Sequence, residues 1–415
     1  MTFLQDNGFD AHVTNAEQIL EAFREEMVRG LSGTGSLPML PAMFPLNASI
    51  PCNCEVAAFD VGGTNIRSAR VRFDTQGKPE ILNQLHGFMP GSRGAVSYEE
   101  FYRVLCDALL PNIRKNECLG YCFSYPVDST GNLLFWTKGI QAASIVGRNA
   151  VSDLTEALAT RGVPNVKIRI LNDTVAALLA AYVSLKHESR AGYVGFILGT
   201  GTNTAYAEVA ERIPKARGLR AKLFYPVNCE SGNFTRFNLS YFDERHEAVS
   251  GTGRALWERC ISGVHLGPLG TEILHAAAEA KLFSSGVCDA VLGRKFTNVE
   301  LDGFCSGKMP EVLYCSSDEA QTIRELICPM YERAARFAAI NVAAAALQSA
   351  DARGARSGTI RINADGSTFW KTASIPFVDV MSEQLTRLLR PRGFDFEIVR
   401  IADAPLIGAA LGAKC

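Results

Sequence analysis

The feature that most constrains this chain is a pattern that occurs twice. Residues 56–73 read VAAFDVGGTNIRSARVRF: an apolar run ends on Asp60, Gly62 and Gly63 turn the chain, and an alternating segment leads away. Residues 193–209 repeat the plan, with an apolar run, GTGTN at 199–203, and a second alternating segment. Each unit reads as strand, tight turn and strand. Two copies roughly 140 residues apart predict an internally duplicated architecture that pinches a ligand between related halves. Glycine at the turn removes Cβ atoms, so backbone N–H groups can approach a phosphate closely. Thr64 and Asn65 add side-chain donors, and Arg67 adds a fixed positive charge. Asp60, at the end of a buried strand, suits a magnesium ion held through water. Taken alone, the first unit also reads as an ordinary Gly-Gly hairpin.

At 415 residues the chain exceeds what one core supports, which predicts two domains with a cleft between them. Lys and Arg number 42 against 43 Asp and Glu, with no long basic run, so neither nucleic acid nor an anionic membrane is expected as a partner. No window reaches the roughly 20 apolar residues of a membrane span. The greasiest stretch, 334–347, is interrupted by Arg336 and Asn341. The start of the chain has no secretory pattern, and the 12 cysteines are scattered, so reduced thiols and a cytoplasmic protein are expected. Cys415 follows Ala413 and Lys414, which is neither a prenylation box nor a good peroxisomal tail. Several motifs are excluded. The nearest approach to a Walker A loop, Gly303 to Lys308, is one residue short and runs into Met309. His246-Glu247 has Ser250 where a zincin needs its second histidine, and Cys52 and Cys54 have no second pair at zinc spacing. The six histidines read as surface or packed residues.

Helical spacing predicts a first helix over 15–31, followed by an extended connector at 36–45 whose three prolines argue against helix and strand. Further strands are expected at 81–87, 119–124 and 166–171. Helices are expected to open at the Ser97/Glu100 capping pair and to cover 153–161 and 175–185. After the second glycine turn the reading is mainly helical, over 249–262, 271–282, 318–326 and 328–349, with strands at 359–364 and 396–401. Gly408 and Gly412 are compatible with a hinge-side helix at the tail.

Several words then occur in a telling order: SLPMLP at 36–41, FDVGGTN at 59–65, FSYP at 123–126, WTKG at 136–139, LNDT at 171–174 and GTGTN at 199–203. Asn228-Cys229-Glu230, Trp257-Glu258 leading to Leu266-Gly267, and Asp365-Gly366-Ser367 complete the series. With these words spanning nearly the whole chain, the sequence resembles the hexokinase family, within the actin-like fold of sugar kinases and related ATPases.

The resemblance implies an α/β, actin-like (ribonuclease H-like) fold in two domains, with a duplicated mixed sheet core and an intervening cleft. It places 55–172 plus 403–415 in a small domain and 1–54 plus 173–402 in a large one. The implied activity is transfer of the γ-phosphoryl of MgATP to the 6-hydroxyl of glucose and related hexoses such as mannose and fructose, at the entry to glycolysis. ATP is then the co-substrate and Mg2+ the metal, at Asp60 through water. Asp173 matches the family's catalytic base, with Lys138 and Arg67 beside the transferring group. Ser124, Thr137, Lys138, Asn172, Asp173, Asn203, Glu230 and Glu258 match sugar-binding positions. Carboxylates and amides discriminate best among hydroxyls, because an unpaired buried polar group is costly. Asp60, Gly62, Gly63, Thr64, Asn65, Thr200, Gly201, Gly366 and Ser367 match nucleotide positions, and the helix bearing Arg333 is expected to flank the adenosine. By themselves, Asn172-Asp173-Thr174 also reads as a helix cap, Glu230 as a loop acid and Glu258 as a surface charge. Two departures stand out. Ser231-Gly232 follows Glu230 where the family has Trp-Gly, which bears on sugar preference. Residues Asp403, Ala404, Pro405, Leu406 and Ile407 replace a Gly/Ser-rich stretch before Gly408, which bears on the choice of ATP. A single catalytic unit, monomer or homodimer, is expected. Alternatives are a kinase of an amino sugar or ketose, a sugar sensor of weak activity, and an actin-like filament protein.

Overall fold

The computed structural model describes residues 2–46, 51–127, 130–136, 139–183, 190–251 and 253–414. Helices α1 (Phe3–Asp6) and α2 (Ala16–Leu31) lead to a short strand, β1 (Leu40–Pro41). The first glycine turn joins β2 (Cys54–Val61) to β3 (Asn65–Phe73), and β4 (Pro79–Phe88), α3 (Tyr98–Leu109), β5 (Cys118–Phe123), α4 (Ala150–Thr160), β6 (Lys167–Leu171) and α5 (Asp173–Val183) follow. The second turn joins β7 (Gly192–Leu198) to β8 (Thr202–Val209), and β9 (Phe224–Asn228) comes next. A helical stretch comprises α6 (Tyr241–Ser250), α7 (Leu256–Ile261), α8 (Gly263–Glu279), α9 (Ser285–Leu292), α10 (Asn298–Cys305) and α11 (Ser317–Ala352). The chain closes with β10 (Gly358–Asp365), α12 (Ser367–Lys371), α13 (Phe377–Leu389), β11 (Phe394–Val399) and α14 (Ala404–Lys414).

The strands form two sheets, β4-β3-β2-β5-β6 and β1-β9-β8-β7-β10-β11. In the first, β2 pairs antiparallel with β3 and parallel with β5, and β3/β4 and β5/β6 continue in the same senses. In the second, β7 pairs antiparallel with β8 and parallel with β10, and β8/β9 and β10/β11 continue likewise. The plan is therefore the same in both, as the repeated turn predicts, with β1 an addition at one edge.

Between the sheets lie α5 and α14. Helix α14 packs on β2, β5 and β6, and α5 packs on β7, β8 and β10 and against α14. This layer closes to backbone contact: a Cβ on Gly120 of β5 would strike the carbonyl of Ala409, and one on Gly408 would strike the carbonyl of Ala176. Such an approach admits only glycine, because a methyl group would have to displace main chain rather than a movable side chain. The alanine-rich composition of α5 has the same cause, with Ala176, Ala180 and Ala181 all fully buried. One apolar core fills the face of the larger sheet under α2, α8 and α11, a second lies between β2/β5 and α3/α4, and a third joins β2 and β3 to α5 and α14.

Four expectations are corrected. The proline-rich connector is not strand-free: Leu40 and Pro41 pair antiparallel with Asn228 and Val227 at the outer edge of β9. Proline is tolerated there because an edge position does not require its missing N–H. The helix expected over 249–262 is two helices. Gly251 (φ 55) ends α6 and Gly253 (φ 60) bends the linker, both in the left-handed region. Pro329 does not divide α11, which runs unbroken through 36 residues. Burial of Ile323, Ile327, Met330 and Tyr331 around the proline offsets the hydrogen bond it removes. Helix α8 starts at Gly263, well before the expected Thr271, and carries Pro268 within it.

Candidate active site

The β2–β3 register sets Asp60 directly opposite Arg67. Nε and Nη2 of Arg67 both donate to Oδ2 of Asp60, at 2.9 and 2.7 Å, and Nη1 donates to Oδ1 of Asp403 at 3.1 Å. Asp403, held at φ 54 just ahead of α14, also accepts from Gln84. Arg67 therefore ties the phosphate-turn hairpin to the C-terminal helix, and its guanidinium reaches the site already bound to two carboxylates. Between Asp60 and Arg67 the chain is closed by Gly62 N–H donating to the carbonyl of Asn65 at 3.0 Å, with Thr64 and Asn65 exposed at the tip. Gly62 is not in the left-handed region; a Cβ there would lie 3.3 Å from the Asn65 carbonyl, a tight contact that requires a small shift of the turn.

Asn172 and Asp173 join β6 to α5. The cap is Asn172, whose Oδ1 accepts from Thr174 N–H at 2.9 Å. Asp173 begins the helix with a half-buried carboxylate that accepts from Thr174 Oγ1 at 3.3 Å. A negative charge in a helix's first turn suits the helix dipole.

On the larger sheet a set of amides and acids is wired together. Asn203 Nδ2 donates to Asn228 Oδ1 at 2.6 Å, and Asn228 Nδ2 donates to Glu230 Oε1 at 2.8 Å. Glu230 has φ 52, which turns its side chain off the end of β9. Glu258 reaches over from α7, where its Oε2 accepts from Thr202 N–H at 2.8 Å. Gly201 and Gly232 admit it, since a Cβ on Gly201 would lie 2.7 Å from Oε2 and one on Gly232 would lie 3.0 Å from the Glu258 Cβ.

Electrostatics join these groups across the two sheets. Burial pushes the Asp60 carboxyl above its ordinary range against the pull of Arg67, and the charge of Asp173 adds to the push. Burial likewise raises Glu230; its hydrogen bond from Asn228 opposes this, while Asp173 and Glu258 reinforce it. Asp173 thus lies within electrostatic reach of Asp60 on one sheet and of Glu230 on the other, and Glu258 lies within reach of Glu230. Among the described residues no three acids, cysteines or histidines are grouped so as to hold a metal ion by themselves, so a divalent cation here would have to arrive with a phosphate ligand.

The second turn adjoins residues 366–367. Gly366 has φ 117, and a Cβ there would overlap the Leu198 carbonyl. Gly199 O accepts from Thr368 Oγ1 at 2.9 Å and from Gly263 N–H at 2.8 Å, and Thr200 O accepts from Val264 N–H at 3.2 Å. Thr200 and Ser367 are exposed beside one another's turns. Arg333 itself cannot contact a nucleotide: it is buried, with Nη1 and Nη2 each 2.7 Å from the carboxylate of Asp243.

Ser124 is half-buried just past β5, with its N–H donating to the Val61 carbonyl at 3.1 Å. Thr137 and Lys138 lie outside the described residues. Their neighbour Trp136 is anchored by Nε1–H to the Ala142 carbonyl at 2.7 Å. The sequence reading missed Tyr125 as a site residue. Its hydroxyl donates to the Gly62 carbonyl at 2.7 Å, and its ring meets Trp136 edge-on at 4.7 Å. Asn228 and Thr202 were also missed as supports of Glu230 and Glu258. The word FSYP contained Tyr125, but nothing in the sequence told which loop its hydroxyl would reach.

Comparison with known proteins agrees with this arrangement. Two models of the family described as Hexokinase match the chain, one over residues 5–183 and the other over residues 193–415. Hexokinase-9 of Oryza sativa subsp. japonica is 28% identical over 445 residues, covering 97% of this chain and 86% of that protein. Hexokinase-3 of Mus musculus is 28% identical over 380 residues, covering 83% of this chain and 40% of that protein. Among solved structures, the hexokinase from Schistosoma mansoni complexed with glucose has the same fold, with a TM-score of 0.79, 24% identity, and coverage of 97% and 96% of the two chains. With both of its halves matched in order, the chain belongs to the hexokinase family.

Proposed function

We propose that the protein is an ATP-dependent hexokinase that transfers the γ-phosphoryl of MgATP to the 6-hydroxyl of glucose and related hexoses. The observation that carries this reading is that Asp173, at the start of α5, lies within electrostatic reach of Asp60 on one sheet and of Glu230 on the other, where Asn203 and Asn228 hold Glu230 by hydrogen bonds. Asp173 accepts the proton of the attacking hydroxyl as the new P–O bond forms. Glu230 and Glu258 bind sugar hydroxyls, with Asn172, Asn203 and Ser124 completing the pocket, and Thr137 and Lys138 are assigned to the sugar from their place in the WTKG word alone. Gly62, Gly63, Thr64 and Asn65 on one side, and Thr200, Gly201, Gly366 and Ser367 on the other, hold the nucleotide. Asp60 would help hold a magnesium ion arriving with the nucleotide, which would supply neutralisation of the phosphate charge. Arg67 keeps Asp60 in place and adds positive charge nearby.

Residues 55–172 with 403–415 form the unit that closes on 1–54 with 173–402, excluding water that would compete with the sugar. Support for that division is that each unit contains one of the two sheets. Among the described residues no helix is long and apolar enough to cross a membrane. The reading places the enzyme in the cytoplasm as a monomer or homodimer.

The test is sugar-dependent ADP release from MgATP, compared with the Asp173→Ala variant. Turnover with glucose that falls by roughly 100- to 10,000-fold in the variant, while glucose still binds, supports the assignment. Background release with glucose, fructose, mannose and glucosamine alike would overturn it.

A further inference from the structure

Helix α11 is rich in alanine where it passes beneath β8, yet it holds an amide there: Asn341 is 1% exposed. A buried amide is costly unless both ends are bonded, and here both are. Asn341 Oδ1 accepts from Thr204 Oγ1 at 2.8 Å, and Nδ2 donates to Ser231 Oγ at 3.1 Å. The two hydroxyls lie 3.3 Å apart, and both residues are fully buried. The result is a closed triangle of one amide and two hydroxyls inside an apolar core.

The main chain of the same two residues grips the site. Thr204 N–H and Ser231 N–H both donate to Oδ1 of Asn203, at 2.7 and 3.3 Å. From Asn203 the hydrogen bonds continue through Asn228 to Oε1 of Glu230. Glu230, in its left-handed backbone conformation, immediately precedes Ser231. The spacing of Thr204 and Ser231 therefore sets where the Asn203 amide sits, and the Asn203 amide sets the orientation of Glu230. An all-apolar substitute would fill the same space without fixing that spacing.

We propose that Asn341 is a positioning residue of the sugar subsite, holding the Asn203–Asn228–Glu230 relay from outside the pocket and so setting the preference among hexoses. This rests on the hexokinase reading and deepens it. The relay enters the second glycine turn only at its last residue, Asn203, beyond the Thr200 and Gly201 assigned to the nucleotide, and it does not touch the first turn at Gly62 to Asn65, so its loss should affect sugar recognition more than nucleotide affinity.

The experiment compares wild type with Asn341→Leu, Thr204→Val and Thr204→Ser in steady-state turnover, glucose calorimetry and thermal melting. Asn341→Leu and Thr204→Val should raise KM and Kd for glucose by about 10-fold and narrow its advantage over mannose and galactose, with KM for MgATP unchanged within about two-fold. Thr204→Ser, which keeps the hydroxyl, should restore the glucose values. Because Thr204→Val nearly preserves shape, it answers the question even if Asn341→Leu does not fold. Unchanged glucose KM, Kd and sugar ranking, with only a lower Tm, would assign Asn341 to stability alone and overturn the proposal. A wild type without hexose-dependent turnover would instead overturn the functional reading itself, which is settled before any variant is compared.

Discussion

The hydroxyl of Tyr125 and the carbonyl of Gly62, 2.7 Å apart, connect the loop that follows β5 to the phosphate turn. Ser124 precedes this tyrosine, and Trp136, against which its ring packs, leads into Thr137 and Lys138. A shift of the sugar loop therefore pulls on the turn that is proposed to hold the nucleotide. Tyr125→Phe removes the hydroxyl and leaves the ring packing. The expected outcome is a KM for MgATP raised about five-fold, equivalent to about 1 kcal/mol, with glucose Kd nearly unchanged. Kinetics with each substrate varied in turn check this. An unchanged KM for MgATP would mean that the strut does not act on the nucleotide side.

The acid crowding at Glu230 predicts a pH dependence. Its folded pKa is raised above the ordinary 4.5 by burial, with Asp173 and Glu258 adding to the effect. For a raised carboxyl, the folded state holds the proton over a wider range than the unfolded chain, so this group favours folding below its ordinary value and that contribution is lost as pH rises through the folded pKa. On the proposed assignment glucose binds the ionised form of Glu230, so its affinity should fall as pH drops through the same raised value. Calorimetry from about pH 8 to about pH 5 measures this, and Glu230→Gln should bind weakly and lack that titration. A profile shared by wild type and variant would assign the titration to another group.

Gly408 predicts a failure of packing. A Cβ there meets the main chain of Ala176, and α5 cannot retreat because β7 lies on its other side. Gly408→Ala should lose about 1–3 kcal/mol, the usual cost of overpacking, seen as a lower denaturant midpoint. It should also slow turnover, because Asp173 begins the displaced helix. A variant as stable and as active as wild type would contradict the close contact of α14 with α5.

Asp243 and Arg333 form a buried ion pair with Nη···O distances of 2.7 Å on both prongs. Burial alone would raise the Asp243 carboxyl; the guanidinium, with Ser240, outweighs it and holds the pKa below the ordinary 3.8. Asp243 therefore contributes stability at and above its ordinary value, and that contribution is lost as pH falls through the lower folded value. Arg333→Met leaves an unpaired buried charge and should cost about 3–5 kcal/mol, much of it recovered in Arg333→Met with Asp243→Leu. Thermal melts of the single and double variants decide this. KM for MgATP should be unaffected in any variant that folds, since neither side chain faces the proposed nucleotide site.

The amino-acid sequence by itself determined the duplicated plan, because a strand that must be buried on both faces and a turn that must be glycine-rich both leave local marks. It also carried the chemistry-bearing residues as short words: Asp60 with its glycines, Asn172-Asp173, Asn228 to Glu230, and Trp257-Glu258. Local signals failed where the decision was not local. Pro329 stays within α11 because contacts with residues distant in sequence outweigh a lost hydrogen bond. The Ala/Gly composition of α5 and α14 carried no address, although it is what lets two helices and two sheets stack at backbone contact. Nor was it legible that Arg67 would be bound by Asp60 and Asp403, or Arg333 by Asp243, because an arginine reads as a free charge until its partner is known. Only the tertiary structure decided that Asp173 would stand within electrostatic reach of both Asp60 and Glu230, and that Asn341 would bond Thr204 and Ser231, beneath the acids proposed to bind sugar. Spacing along the chain places a side chain on its own element, whereas its electrostatic neighbours and hydrogen-bond partners are set by how separate elements pack.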